Sequence, residues 1–211
     1  DSGPNGLHAV QSTAGRVAAG FANGGVSFDG TQSIGLPGLA QASGYSFAAW
    51  IKPASLDGGL LQGGGVNATL AQGVITVQAG AASAVTTATL SAGKWQHLAF
   101  TISDKLRVYL DGKLVAEAPG ATEPTAGVNL GVGFKGEMDE VQIAGVARSA
   151  DWIAVQAAQG PDGKLVTLGE DEAGEGGEEG GIWGTLFSAL TLDGWVAIGV
   201  LAVMLVIALW I

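Results

Sequence analysis

Asp111-Gly112 lies between two runs of alternating residues in "KLRVYLDGKLVAEA", Lys105 to Ala118. A reversal made by two residues needs positive φ at both, which Asp and Gly supply, so the segment is predicted to be a β-hairpin with a type I′ turn. Its strands alternate with period two, so one face must be buried against a second layer. The rest of the chain repeats this texture. "GGVSFDG" (Gly24 to Gly30) alternates toward Phe28 and ends in Asp-Gly. "YSFAAWIKP" sets Tyr45, Phe47, Ala49 and Ile51 against Ser46, Ala48, Trp50 and Lys52, and Pro53 stops it. "GVITVQAG", "AVTTATL", "KWQHLAFTI" and "GEMDEVQIAG" read as further strands. "RSADWIAVQAAQG" reads as a short helix, with Ser149 as N-cap, Asp151 in the first turn and Gly160 past the end.

Many short strands parted by turn residues predict an all-β, two-sheet antiparallel sandwich of the jelly-roll type over residues 1–165, closed by that helix. Charge narrows the function. The net charge is −10, and six of the acidic residues fall between Glu170 and Glu179, leaving the folded part only mildly acidic. A nucleic-acid partner is excluded, because phosphates need a basic face. The absence of cysteine rules out disulfides and thiolate metal sites.

The remaining residues have a different character. Residues 166–181 form an acidic Gly/Glu-rich linker, and "GEDEAGEGGEEGG" has no apolar anchor to offset the entropy of ordering. Residues 182–193 place Trp183 with Phe187, and Leu186 with Leu190, at helical spacing, as an interfacial helix does. Residues 194–211 carry no charge and are bracketed by Trp195 and Trp210, with Met204 between them. About 20 apolar residues span a bilayer and aromatic residues mark its borders, so this stretch is expected to be a transmembrane helix, incomplete at Ile211.

Two resemblances follow from these residues. "GGVSFDGTQSIGLPG", "YSFAAWIKPAS", "GKWQHLAFTISDKLRVYLDGKLVAE" and "GEMDEVQIAGVARSADWIAVQAAQG", in that order, resemble the laminin-G-like, concanavalin-A-type jelly rolls of bacterial envelope proteins. That resemblance implies two curved sheets packed face to face. It also implies an opening strand of the type aromatic-x-Phe-Asp beside the late strands, where this chain starts at "DSGPNG". The expectation is therefore an unpaired edge, completed by a separate upstream polypeptide segment. "LDGWVAIGVLAVMLVIALWI" is similar to the first transmembrane helix of MotA/TolQ/ExbB-type proton-channel subunits. This second resemblance implies an inner-membrane protein with its sandwich on the periplasmic side, forming a homo-oligomer with an ExbD/TolR/MotB-like partner subunit.

Few residues invite chemistry. Asp139 and Glu140, with Asp1 and Asn5, offer oxygens for a calcium ion, which takes six to eight, and the laminin-G resemblance brings their loops together. The competing reading is an Asx turn at Asp1 and Asn5 with Asp139 capping a strand end. His97 falls on a strand that reads as buried, and His8 lies in a loop without a nearby acid. No Ser-nucleophile elbow accompanies them, so no hydrolytic triad is expected and the chain is read as a non-enzyme. "GGLLQGGGVN" lacks the Lys-Ser/Thr ending of a phosphate loop. Trp50, Trp95 and Trp152 could stack on sugar rings, although each fits a core position.

The function expected from these readings is an extracytoplasmic binding or positioning domain of a proton-channel (stator) subunit. The alternative is a membrane-anchored lectin or adhesin that binds glycans or envelope components.

Overall fold

The computed structural model describes residues 8–39 and 43–159, together with Met204, Ile207, Ala208 and Trp210. The chain divides into two units, Asp1–Val166 and Thr167–Ile211. The first is a two-sheet antiparallel sandwich with one short helix. The strands are β1 (Gln11–Ser12), β2 (Gly15–Val17), β3 (Gly25–Asp29), β4 (Ile34–Leu36), β5 (Tyr45–Pro53), β6 (Gly58–Gly63) and β7 (Val66–Ala71). They continue as β8 (Val74–Ala79), β9 (Ala82–Thr89), β10 (Gln96–Ile102), β11 (Lys105–Leu110), β12 (Lys113–Pro119), β13 (Val128–Leu130) and β14 (Lys135–Ala144). The back sheet runs β1-β4-β13-β6-β7-β8-β9 and the front sheet β12-β11-β10-β5-β14-β3-β2.

The alternation read in β5 explains the layering. Tyr45, Phe47, Ala49 and Ile51 belong to the core between the sheets, whereas Ala48 joins a small second cluster on the outer face. Phe47, Phe100, Phe134, Leu60, Leu61 and Ile75 are fully buried in the main core. Each such side chain contributes roughly 1.5–3 kcal/mol of transfer free energy. Asp111 and Gly112 have φ of 47° and 76°, as the type I′ turn requires. Helix α1 (Ala150–Ala158) starts at Ser149, whose side chain accepts the Trp152 N–H at 3.2 Å. Its buried residue, Ile153, packs on Ala48, Ala99 and Tyr109 across the outer face of the front sheet.

The late strand β14 is inserted between β5 and β3, so the expectation of a bare edge beside it needs correction. Over Lys135–Met138 that edge is filled by β3 of the same chain, register Lys135 to Asp29 through Met138 to Val26. Beyond the bulge between Asp139 and Gln142, β5 alone among the described residues accompanies β14, from Gln142 opposite Ala48 to Ala144 opposite Ser46. "GGLLQGGGVN" holds the whole of β6, a glycine turn and the start of β7, where no strand had been read from the sequence.

The linker, the interfacial helix with Trp183 and Phe187, and Trp195 lie outside the described residues. Of residues 194–211, Met204, Ile207, Ala208 and Trp210 are helical and exposed. Among the described residues no helix is long and apolar enough to cross a membrane.

Candidate functional site: an aromatic shelf and an open cleft

The outer face of the front sheet carries a row of side chains centred on Trp50. On β5, Trp50 stands opposite His97 of β10 and opposite Asp139 of β14. One pleat further along, Lys52 faces Glu137, and the two pair at 3.3 Å. The loop between β2 and β3 folds down over this row because Asp139 holds it there. Its Oδ2 accepts the Ala22 N–H at 2.9 Å, and its Oδ1 accepts the Glu140 N–H at 2.8 Å. Gly20 passes so close to the Asp139 carboxylate that a Cβ there would strike it.

That clamp sets Phe21 flat on Trp50, with ring centroids 3.7 Å apart and planes 13° from parallel. Trp95, in the turn before β10, meets Phe21 edge-on at 5.9 Å. The Lys52 Nζ lies 5.7 Å from the centre of the Trp95 ring, within the range of cation–π attraction. Trp50 is buried, and Phe21 and Trp95 are half-buried. The result is an aromatic shelf with a Lys52–Glu137 polar rim. Apolar ring faces beside paired hydrogen-bonding groups suit a ligand with one apolar and one hydroxylated face.

His97 sits beneath this shelf, 5.3 Å from Trp50 and 2 % exposed. Its Nδ1 has no hydrogen-bond partner among the described residues, and burial pulls its pKa down to about 4 although Asp111 nearby opposes the shift. It is a packed histidine, as its strand position indicated. His8 is exposed in the loop before β1.

The residues read as calcium ligands are only partly brought together. Asp139 and Glu140 are adjacent in β14, but Asp139 is buried and engages both oxygens with backbone N–H groups, whereas Glu140 is exposed. Asp1 and Asn5 lie outside the described residues. Among the described residues no three His, Cys, Asp or Glu side chains cluster to hold a metal. The described residues do not by themselves form a calcium site.

The three tryptophans do not make one platform. Trp152 lies on α1, packs against the Ala48–Ala99–Tyr109 cluster and stacks with Arg148 at 4.9 Å. Phe21, absent from the sequence reading, is what joins Trp50 to Trp95.

A second feature lies at the mouth between the sheets, beside the second half of β14. It is a cleft of about 940 Å³ between the front-sheet strands β2, β3 and β14 and the back-sheet strands β4 and β13. Val26, Ile34, Leu36, Leu39, Val141 and Ile143 all line it, and all six are half-buried members of the main core. Among the described residues its charged lining residues are Arg16, Asp139, Glu140 and Arg148, and none of its lining residues is aromatic.

The comparisons agree with this architecture. Domain 4 of AbnA, a GH43 extracellular arabinanase from Geobacillus stearothermophilus solved in complex with arabinotriose, matches with a TM-score of 0.58 and 21 % identity. The match covers 70 % of this chain and 82 % of that one. The botulinum neurotoxin serotype G binding domain matches with a TM-score of 0.59 at 11 % identity, over 75 % of this chain and 47 % of that one. The receptor binding domain of the botulinum neurotoxin C/D mosaic serotype gives 0.58 at 14 %, over 74 % and 47 %. The chain thus spans about half the length of those two toxin domains. At these identities the likeness is one of fold. No curated protein matches the chain. The family profile Laminin_G_3 matches residues 23–154, a span that runs from the loop before β3 into α1. The chain belongs to this family, within the concanavalin A-like lectin/glucanases superfamily.

Proposed function

We propose that the sandwich is a glycan-binding module that uses the Phe21–Trp50–Trp95 shelf to hold an oligosaccharide. The carrying observation is the shelf itself, stacked rings beside an ion pair on the outer face of the front sheet. The lectin character of the superfamily and the arabinotriose bound by the arabinanase domain support the same class of ligand. Binding is favoured over hydrolysis by the carboxylates present. Glu137 is paired with Lys52, and Asp139 has both oxygens engaged by backbone N–H groups, so neither is free to serve as acid or base.

Trp95→Ala is the test, read by calorimetric titration with a panel of neutral oligosaccharides that includes arabinotriose. The wild-type domain is expected to bind at least one of them, and the variant to bind it roughly tenfold more weakly, a loss of about 1.4 kcal/mol. Its melting temperature should change little, because Trp95 stands at the turn before β10 and not in the main core. A panel without any binder, or equal affinity in wild type and variant, removes this reading.

The C-terminal stretch enters the proposal as a tether. Residues 194–211 are read as an apolar helix that holds the module at a membrane, with the sandwich outside the cytoplasm. Met204, Ile207 and Trp210, helical and exposed, have the side chains of a lipid-facing helix. The proton-channel reading, with its oligomer and ExbD/TolR/MotB-like subunit, rests on the resemblance of that stretch alone. The family match covers the sandwich and supports the lectin reading ahead of it.

Calcium belongs to the proposal only if Asp1 and Asn5 complete a site at Asp139. Millimolar calcium should then raise the melting temperature of the chelated wild type by mass action and leave Asp139→Asn unmoved. Coincident wild-type curves with and without calcium would dispose of the site.

A further inference from the structure

We propose that Asn23-Gly24, in the loop that carries Phe21, is a site of self-modification by deamidation, and that the modified loop lifts Phe21 off Trp50. The sequence places asparagine directly before glycine, which has no side chain to hinder attack by its own backbone nitrogen. The structure adds access. Asn23 and Gly24 are both exposed, and a Cβ built on Gly24 would meet the Val17 O at 3.2 Å and otherwise open space. The Gly24 N–H has no hydrogen-bond acceptor among the described residues. Its nitrogen stands just outside the β2–β3 ladder, where the nearest pair is Val17 with Gly25. Asn67 and Asn129 lack this combination. Asn67 is half-buried inside β7 ahead of Ala68, and Asn129 lies in β13 ahead of Leu130.

The reaction consumes water alone. The Gly24 nitrogen attacks Asn23 Cγ, so that an N–Cγ bond forms and the Cγ–Nδ2 bond breaks. The departing amide nitrogen takes the Gly24 proton and leaves as ammonia. Water then opens the cyclic imide at either of its carbonyls. Opening at Cγ leaves aspartate. Opening at the main-chain carbonyl leaves isoaspartate, whose chain runs through the side-chain carbons and whose former carbonyl is now a carboxylate. Nothing is oxidised or reduced.

The loop has little room for that product. Phe21 lies between two anchored neighbours. The Gly20 N–H donates to Asn23 O, the carbonyl that isoaspartate converts, and the Ala22 N–H donates to Asp139 Oδ2 at 2.9 Å. Isoaspartate lengthens the main chain by a methylene just where these anchors set its path. It also forms a carboxylate next to Gly20, which already lies against the carboxylate of Asp139. Like charges so close repel. The clamp therefore opens and Phe21 leaves the face of Trp50, whereas aspartate, with its unchanged chain length, loosens the loop less. The consequence for ligands rests on the glycan reading above: the native loop is the binding form, and the isoaspartyl form has lost its shelf.

The test uses the full chain and no sugar, so its failure is distinct from a failure of the glycan reading. The protein and a synthetic peptide of the loop, Gly20–Val26, are incubated in parallel at mildly alkaline pH. Peptide mass spectrometry should find Asn23 converted in both, with isoaspartate identified by enzymatic methylation, while Asn67 and Asn129 remain amides. Hydroxyl-radical labelling of Trp50, 8 % exposed in the native fold, should rise severalfold in the modified protein. Asn23→Gly suits the φ of 66° and cannot deamidate, so its Trp50 labelling should hold at the starting level through the same incubation. Conversion of the peptide without conversion of the protein overturns the proposal. So does a converted protein whose Trp50 labelling is unchanged, or a rise in labelling that Asn23→Gly shares. Equal conversion at Asn67 and Asn129 overturns it as well, because the loop would then confer no selectivity.

Discussion

Replacing Gly131 by alanine is expected to remove about 4 kcal/mol of stability, a large part of the 5–15 kcal/mol that holds a domain of this kind folded. Gly131 follows β13 with φ of 77°, donating its N–H to Leu60 O and accepting the N–H of Phe134, each at 3.0 Å. A Cβ added there falls on the ring of Phe28. That ring cannot retreat, since it is 4 % exposed and packed edge-on against Phe134 at 6.0 Å. The left-handed backbone costs a non-glycine residue about 1–2 kcal/mol, and overpacking adds about 1–3 kcal/mol. Gly65→Ala provides the comparison. Its φ is 90°, but the space around it is open, so only the backbone cost of about 1–2 kcal/mol remains. Denaturant unfolding should separate the two variants clearly, and equal midpoints would contradict the packing described around Phe28.

The second large effect is with pH. His97 has its pKa lowered from 6.5 to about 4, first because burial penalises the imidazolium, with Asp111 only partly offsetting this. The unfolded chain binds this proton below 6.5, while the folded domain resists it until about 4. Stability is therefore fully present above pH 6.5, declines as the pH falls through that interval, and loses roughly 3 kcal/mol by its lower end. Asp29 and Asp104 add their loss lower down. Both are held below 3.8, Asp29 by the Thr31 N–H and hydroxyl and Asp104 by Ser103 and Arg107. His97→Gln should flatten the slope between pH 6.5 and 4 whatever it does to stability at neutral pH. An unchanged slope in that variant would assign the acid sensitivity elsewhere.

Local signals made much of this fold legible. Asp111-Gly112 marked its hairpin because the turn chemistry resides in those two residues. The alternation of β5 marked both faces of a strand that proves to be buried on each, and Ser149 marked the start of α1. Other parts left no such trace. β1, β2, β4 and β13 have two or three residues each, too few to show a period. β6 was hidden by its glycines, which lower strand propensity although the backbone still pairs there. The shelf was half visible. Trp50 and Trp95 could be picked out as aromatic residues, but Phe21 acquires its place through Asp139, 117 positions away from Ala22 in the chain. No local pattern encodes a contact of that span. The bare edge expected from a family resemblance was wrong for the first half of β14, where β3 of the same chain pairs with it.

The position of β14 has a consequence for how the protein comes into being on the ribosome. It is the last of the described strands to be made, yet it fills the gap between β3 and β5, near the middle of the front sheet. A nascent chain emerges amino-terminus first, so β3 and β5 must wait with exposed edges while the hairpins of the back sheet are already able to form. Loop-closure entropy makes so distant a pairing slow, and the waiting edges are those most open to intermolecular association. Closure is a late event, set by the arrival of Lys135–Ala144. The sandwich therefore assembles in the manner of an arch, held open until its keystone is delivered.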